Sequence, residues 1–393
     1  MIKTVIQNAY RDTHLRKHRW SNVLIPYRLE VILLNYESIK ILVEKRFSVF
    51  FCRYFMLHSH LKSIIRKIIK RLSRYFAHVV SLPAQIAWGL TKSHYIDKLF
   101  FLPRYYRAIA AHQSQLPILG WQDQQIVNTL ESEGCCRTSL ESLNLPHSIE
   151  FMEAAQQITQ LLQDKTTGLF KNFPSEKFYE VSTTKTEIIN HIDVIRWSLN
   201  QRLINIVEAY LKLPVAYDGA ACFLSVNNGE EYGARAWHRD REDRRMIKVC
   251  VYFNDVDEEG GPLQCLKPRF NDYVCASIKH RYRSVYQAEM DSLYLPEFGD
   301  AIVSCVGKVG TIILIDTARF YHRGKPPIDS HRKAIIFSYF SRSPWHPFFC
   351  QRFPLLPKEI EDRIPKLSQQ QLESINWRKK VPQAVRWIPK SLI

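Results

Sequence analysis

Two short stretches hold the residues with the clearest chemical potential: Trp237-His238-Arg239-Asp240 and Tyr321-His322-Arg323-Gly324. In an extended strand residues i and i+2 point to the same face, so His238 and Asp240 can address one point in space. A second imidazole, His322, delivered from a facing strand completes a set of two imidazoles and one carboxylate. Such a set occupies one face of an octahedral metal, suits non-haem Fe(II), and leaves three coordination positions for reactants. His238, Asp240 and His322 are therefore the expected metal ligands and catalytic centre.

His-x-Asp alone is a weak signal, and His191-Ile192-Asp193 repeats it. His191 precedes a helical run, where i and i+2 diverge, so that pair is expected to serve as a helix amino-terminal cap. Three features set His238, Asp240 and His322 apart. His322 follows the apolar strand pattern Gly310-Thr-Ile-Ile-Leu-Ile-Asp316 and a short turn. Arg332 comes ten residues after His322 at the start of another strand. A guanidinium there can grip the distal carboxylate of 2-oxoglutarate through two parallel charge-assisted bonds, which a lysine matches poorly. Finally, Phe253-Asn-Asp-Val-Asp-Glu-Glu-Gly-Gly-Pro-Leu263 ends the strand after the His-x-Asp pair. Lys248 and Tyr252 share strand parity and are candidates to line the co-substrate pocket.

On these residues the stretch 221–339 resembles the phytanoyl-CoA dioxygenase family of Fe(II)/2-oxoglutarate oxygenases. The His-x-Asp pair, the Asn-Asp-Val-Asp-Glu turn with its Gly and Leu, the distal His and the following Arg occur in the family's order. The resemblance implies iron on His238, Asp240 and His322, 2-oxoglutarate on Arg332, and O2 as oxidant. It implies hydroxylation of a small-molecule, acyl or lipid-like substrate with release of succinate and CO2. Some relatives that halogenate replace the carboxylate with a small residue, whereas Asp240 is present here, which implies hydroxylation, desaturation or a related oxidation. The family's usual Gly-Ser-His after the Gly-Pro-Leu turn is missing, and Gln264-Cys-Leu-Lys-Pro stands in its place. The other reading is a catalytically inactive member of the fold acting as a basic membrane-surface or partner-binding module. The intact set of three ligands and Arg332 argues against it.

The elements that must position these residues are short β segments separated by turns. Strands are expected at 221–226, 233–240, 246–254, 263–266, 301–306, 310–316, 320–323 and 332–342. Helices are expected at 122–133, 150–163 and 193–213, the last closed by Pro214. The expected fold is α+β: a double-stranded β-helix (jelly-roll, cupin-like) with helices packed outside. Residues 1–100 read as a basic helical region, 101–350 as the oxygenase domain with its β-helix core at about 220–342, and 351–393 as a tail. The segment 269–299 carries Tyr273, Lys279, His280 and several arginines, and its role stays open.

The 393 residues carry a net charge of +17, placed unevenly. Residues 1–100 hold 18 Lys/Arg against 5 Asp/Glu, and the rest 37 against 33. Within the basic region, 61–80 alternates apolar and Lys/Arg residues at helical spacing. That helix either packs on the body with a solvated basic face or lies on an anionic membrane. No nucleic-acid-binding motif accompanies the charge, so nucleic acid is not expected as a partner. No uncharged apolar run is long enough to span a bilayer, and the amino terminus lacks a secretory pattern. Nine irregularly spaced cysteines without a C-x-x-C pair suit free thiols in a reducing compartment. The expected location is cytoplasmic.

Overall fold

Alternation of side chains decides how the sheets pack. In Met246–Tyr252, Ile247, Val249 and Val251 join the cluster under the outer helices, while Cys250 and Tyr252 join a second cluster between the sheets. Period two puts one set on each face, and both faces are buried. The computed structural model describes residues 82–172, 178–278, 282–350, 356–386 and 388. The expected basic helix at 61–80, and the membrane-surface reading attached to it, lie outside the described residues. So do Lys279 and His280.

Nine strands are present among the described residues: β1 (Cys135–Ser139), β2 (Glu180–Ser182), β3 (Val215–Ser225), β4 (Met246–Tyr252), β5 (Leu263–Leu266), β6 (Ile302–Cys305), β7 (Thr311–Asp316), β8 (His322–Gly324) and β9 (Arg332–Ser341). The larger sheet has the antiparallel order β1-β7-β4-β9-β3-β2 and the smaller the order β6-β5-β8. The chain shuttles between them. It leaves β3 in the larger sheet, touches the edge of the smaller one through a His238–His322 bridge, and returns for β4. It then crosses to β5 and β6, back to β7, over to β8 and back to β9. This double passage is the double-stranded β-helix, so the α+β jelly-roll expectation is met by strand order and register.

The outer face of the larger sheet is covered by helices. In chain order the helices include α1 (Leu102–His112), α2 (Trp121–Glu133), α3 (Ser148–Asn172), α4 (Lys185–Asn190), α5 (Asp193–Ser198), α6 (Gln201–Leu211), α7 (Pro268–Ser277) and α8 (Gln287–Leu293). Helices α2 to α6 supply the cluster against that face, whereas α7 and α8 pack with Leu266 of β5. Phe151 of α3 stacks on Trp197 of α5 at 4.5 Å between ring centroids, and both rings meet Phe337 of β9. The described residues fall within one compact unit. Helical backbone runs from His94 across residue 100 into α1 through a π-helical turn at Asp97–Phe101, and further along Trp377 meets Phe340 edge-on at 5.0 Å.

Two expectations are corrected. The strand expected at 233–240 is a 3-10 turn, Gly233–Arg235, followed by isolated bridges at Trp237 and His238. The cause is Arg235, which is buried and donates to the carbonyls of Glu230, Tyr179 and Val226, curling the backbone inward. The helix expected at 193–213 breaks into α5 and α6 because Asn200 turns extended and its side chain caps the Arg202 N–H at 2.9 Å. The edge strands β1 and β2 carried no alternation long enough to be read. Gln122 onward was expected as helix and α2 begins one residue earlier, while α3 outruns its expected 150–163 at both ends.

Candidate metal centre

The bridge between the two sheets brings the expected ligands together. His238 and His322 exchange backbone hydrogen bonds at 3.0 Å in both directions, and their rings lie 4.3 Å apart. Asp240 Oδ2 is 4.0 Å from His322 Nε2. One ligand atom from each of His238, Asp240 and His322 falls within 4.8 Å of the others, the only such group of three among the described residues. The donors fit a divalent metal in chemistry as well as spacing. His238 Nδ1 faces the Ala236 carbonyl at 2.8 Å and His322 Nδ1 the Phe320 carbonyl at 3.2 Å. A carbonyl only accepts, so each Nδ1 carries the proton and each Nε2 keeps its lone pair for the metal. Burial, then the neighbouring His238, hold His322 well below the ordinary imidazole pKa. It is therefore neutral at physiological pH, as a ligand must be.

Asp240 is fixed through its backbone. Its N–H donates to the Thr317 carbonyl at 2.8 Å, tying it to the turn that leads into His322. Lys248 Nζ lies 2.6 Å from Asp240 Oδ2. Two buried carboxylates hold the surrounding turns. Asp243 accepts from Ser341 N at 2.9 Å, Trp345 N at 3.1 Å and Arg244 N at 2.8 Å. Asp316 accepts from Tyr210 Oη at 2.7 Å and from the N–H groups of Ala318 and Arg319 at 3.1 Å each. Neither carboxylate lies in a readable motif, and only their complete burial reveals the role.

A cavity of about 360 Å³ opens on the centre, and His238, His322, Lys248 and Arg332 line it. Arg332 is buried and donates to the Gly261 carbonyl. That carbonyl belongs to the turn singled out from sequence. Gly261 has φ +74°, and a Cβ there would lie 2.7 Å from Pro327 N. Gly324, two residues after His322, has no room for a side chain because the Arg332 guanidinium occupies the space. Of the two residues sharing strand parity, Lys248 reaches the cavity. Tyr252 does not: its hydroxyl donates to the Cys305 carbonyl and accepts from Leu263 N, which consumes it in the wall.

The competing His191/Asp193 pair is elsewhere. His191 ends α4, with Nδ1 2.7 Å from the Glu187 carbonyl, and Asp193 pairs with Arg196 at 2.6 Å in the first turn of α5. Neither side chain caps α5, whose cap position is Ile192, so the capping expectation is not met. Cys135 and Cys136 sit in β1. No helix among the described residues is long and apolar enough to cross a membrane.

No protein-family model and no curated protein matches this chain. Among solved structures it is similar to EctD from S. alaskensis with 2-oxoglutarate and 5-hydroxyectoine, at 15% identity over 57% of this chain and 77% of that one, TM-score 0.38. It is similar to HygX from Streptomyces hygroscopicus with nickel and 2-oxoglutarate bound, at 13% identity over 57% and 88%, TM-score 0.38. It is also similar to AviO1 from Streptomyces viridochromogenes Tue57, at 13% identity over 58% and 98%, TM-score 0.38. At such scores these likenesses bear no weight beside the strand order and register.

Proposed function

We propose that this chain is a non-haem Fe(II)- and 2-oxoglutarate-dependent dioxygenase acting on a small-molecule or acyl substrate. The observation that carries the reading is the convergence of His238, Asp240 and His322 within 4.8 Å beside a cavity that Arg332 also lines. Two imidazoles and a carboxylate suit Fe(II) and leave room for reactants. The resemblance of 221–339 to the phytanoyl-CoA dioxygenase family points the same way.

In this reading His238 Nε2, His322 Nε2 and one Asp240 oxygen hold the iron, and Arg332 binds the distal carboxylate of 2-oxoglutarate. When bound, iron with 2-oxoglutarate and O2 supplies the oxidant that converts a substrate C–H to C–OH while 2-oxoglutarate becomes succinate and CO2. The chain's own residues bind, orient and exclude water. The carbonyls of Ala236 and Phe320 fix both imidazole planes. The Gly261 carbonyl and the missing side chain at Gly324 aim the Arg332 guanidinium. Apolar Phe223, Leu263 and Ile336 narrow the cavity around the co-substrate.

Anaerobic titration of the purified protein with Fe(II) and 2-oxoglutarate tests this by visible absorption. A charge-transfer band that needs both components, disappears in His322→Ala and weakens in Arg332→Ala supports the reading. A folded wild-type protein without such a band overturns it.

A further inference from the structure

Lys248 is an unexpected neighbour for a metal centre. Its ammonium lies 2.6 Å from Asp240 Oδ2, with the Lys248 side chain 13% exposed and that of Asp240 1%. A cation so close weakens a carboxylate's hold on a divalent metal, so the site needs an anion to offset it. Formal charges identify how much. Asp240 and Lys248 cancel, and a divalent metal with Arg332 outweighs the two carboxylates of 2-oxoglutarate by a single positive charge. The other cations on the cavity wall are answered locally: Arg323 pairs with Glu231 at 3.4 Å and Lys185 with Glu359 at 2.8 Å. Arg235 spends its guanidinium on Asn228 and on backbone carbonyls, with the Glu180 carboxylate nearby.

Two hydroxyls mark where the missing charge would sit. Thr317 Oγ1 and Ser338 Oγ are buried on the wall of the same cavity, and neither has a hydrogen-bond partner among the described residues. Ser338 is the register partner of Lys248 across the β4–β9 pair, and the Thr317 carbonyl receives the Asp240 N–H. Buried hydroxyls without partners are costly, and a bound oxyanion would satisfy both. Arg332 stands six residues from Ser338 along β9, roughly 20 Å of strand, and its guanidinium points to Gly324. A five-carbon diacid held by Arg332 keeps that carboxylate well away from Ser338, and its other carboxylate is already counted against the metal.

We propose that Lys248, Thr317 and Ser338 form a carboxylate-binding subsite for the substrate, next to the metal on the side away from Arg332. This rests on the dioxygenase reading above. It makes the substrate a carboxylic acid whose reacting C–H lies within a few bonds of the acid group. The single excess charge favours a carboxylate over a phosphate dianion.

The test uses anaerobic protein loaded with Fe(II) and 2-oxoglutarate, with butyrate and its neutral isostere butyramide as probes followed by calorimetry. Butyrate is expected to bind at least tenfold tighter than butyramide. Lys248→Met is expected to abolish that preference while the Fe(II)/2-oxoglutarate band persists, and Ser338→Ala and Thr317→Val are each expected to reduce it severalfold. Equal binding of acid and amide, with the band present, overturns the subsite and leaves the dioxygenase reading standing. Loss of the band itself in Lys248→Met shows that Lys248 serves 2-oxoglutarate and also overturns it. If Lys248→Met does not fold, the two hydroxyl variants decide, and an unchanged preference in both overturns the subsite. Absence of the band in wild type removes the dioxygenase reading and this inference with it.

Discussion

His238 and His322 exchange both backbone hydrogen bonds, each N–H donating to the other's carbonyl at 3.0 Å. This one bridge sets the imidazoles side by side, with centroids 4.3 Å apart, and leaves Asp240 to approach from the following turn. The ligand set is therefore held by backbone, and single side-chain deletions should remove metal affinity without unfolding the protein. His238→Ala, Asp240→Ala and His322→Ala are each expected to weaken Co(II) or Fe(II) binding by more than tenfold, while the far-ultraviolet circular dichroism stays that of wild type. Retention of tight binding by any two of the three would sink the assignment.

The closeness of Gly324 to the Arg332 guanidinium yields a sharper test of co-substrate binding. An added methyl at Gly324 must displace the guanidinium, since the space is already filled. Gly324→Ala should therefore weaken 2-oxoglutarate binding at least tenfold, about 1.4 kcal/mol, with metal binding retained. Arg332→Lys should do the same for a different reason, because an ammonium cannot make the paired contact of a guanidinium. Titration of 2-oxoglutarate into Co(II)-loaded protein reads both variants. Unchanged affinity in both moves the co-substrate away from Arg332.

What was legible in the sequence follows from what repeats. β4, β7 and β9 carry long apolar runs, and β5 was read residue for residue, so the jelly-roll could be read from strands alone. The proposed metal ligands were legible because a distal His and a following Arg join the His-x-Asp pair in strand context, which the repeat at His191 and Asp193 lacks. The strand expected around His238 was the right neighbourhood with the wrong regularity: buried Arg235 bends it, and a single arginine leaves no periodic trace. Asp243, Asp316, Thr317 and Ser338 were invisible for a related reason. An isolated acid or hydroxyl gains meaning only when folding buries it against particular partners, and those partners lie far away in sequence.

Asp243 gives the pH dependence its sign. Burial pushes its carboxyl up to about 6, even though Ser341, Arg244 and Trp345 donate to it. In the unfolded chain the same group titrates near its ordinary value, about 3.9. Between these values the folded state holds a proton that the unfolded state has lost, so this group's contribution to stability falls as pH rises from about 4 to about 6. Asp243→Asn cannot titrate. Whatever constant offset the lost acceptor imposes, the variant should gain on wild type by up to about 3 kcal/mol across that window and run parallel above it. Urea melts of both proteins at several pH values measure the gap, and a gap independent of pH would contradict the burial argument.

Tyr210 and Asp316 connect the helical layer to the proposed metal centre. The buried Tyr210 hydroxyl donates to Asp316 Oδ2 at 2.7 Å, and Asp316 in turn receives the N–H groups of Ala318 and Arg319. Desolvation already holds the Asp316 carboxyl above its ordinary pKa, so it depends on the donors it has. The next residue, Thr317, accepts the Asp240 N–H, so slack at Asp316 reaches a proposed metal ligand in one step. Tyr210→Phe deletes a hydrogen bond to a buried charged group and should cost about 2 kcal/mol of stability. It should also weaken Co(II) binding severalfold, although Tyr210 is not a ligand. Urea melts and metal titration read the two effects separately. A destabilised variant with unchanged metal affinity would show that the turn at Thr317 holds Asp240 without help from Asp316.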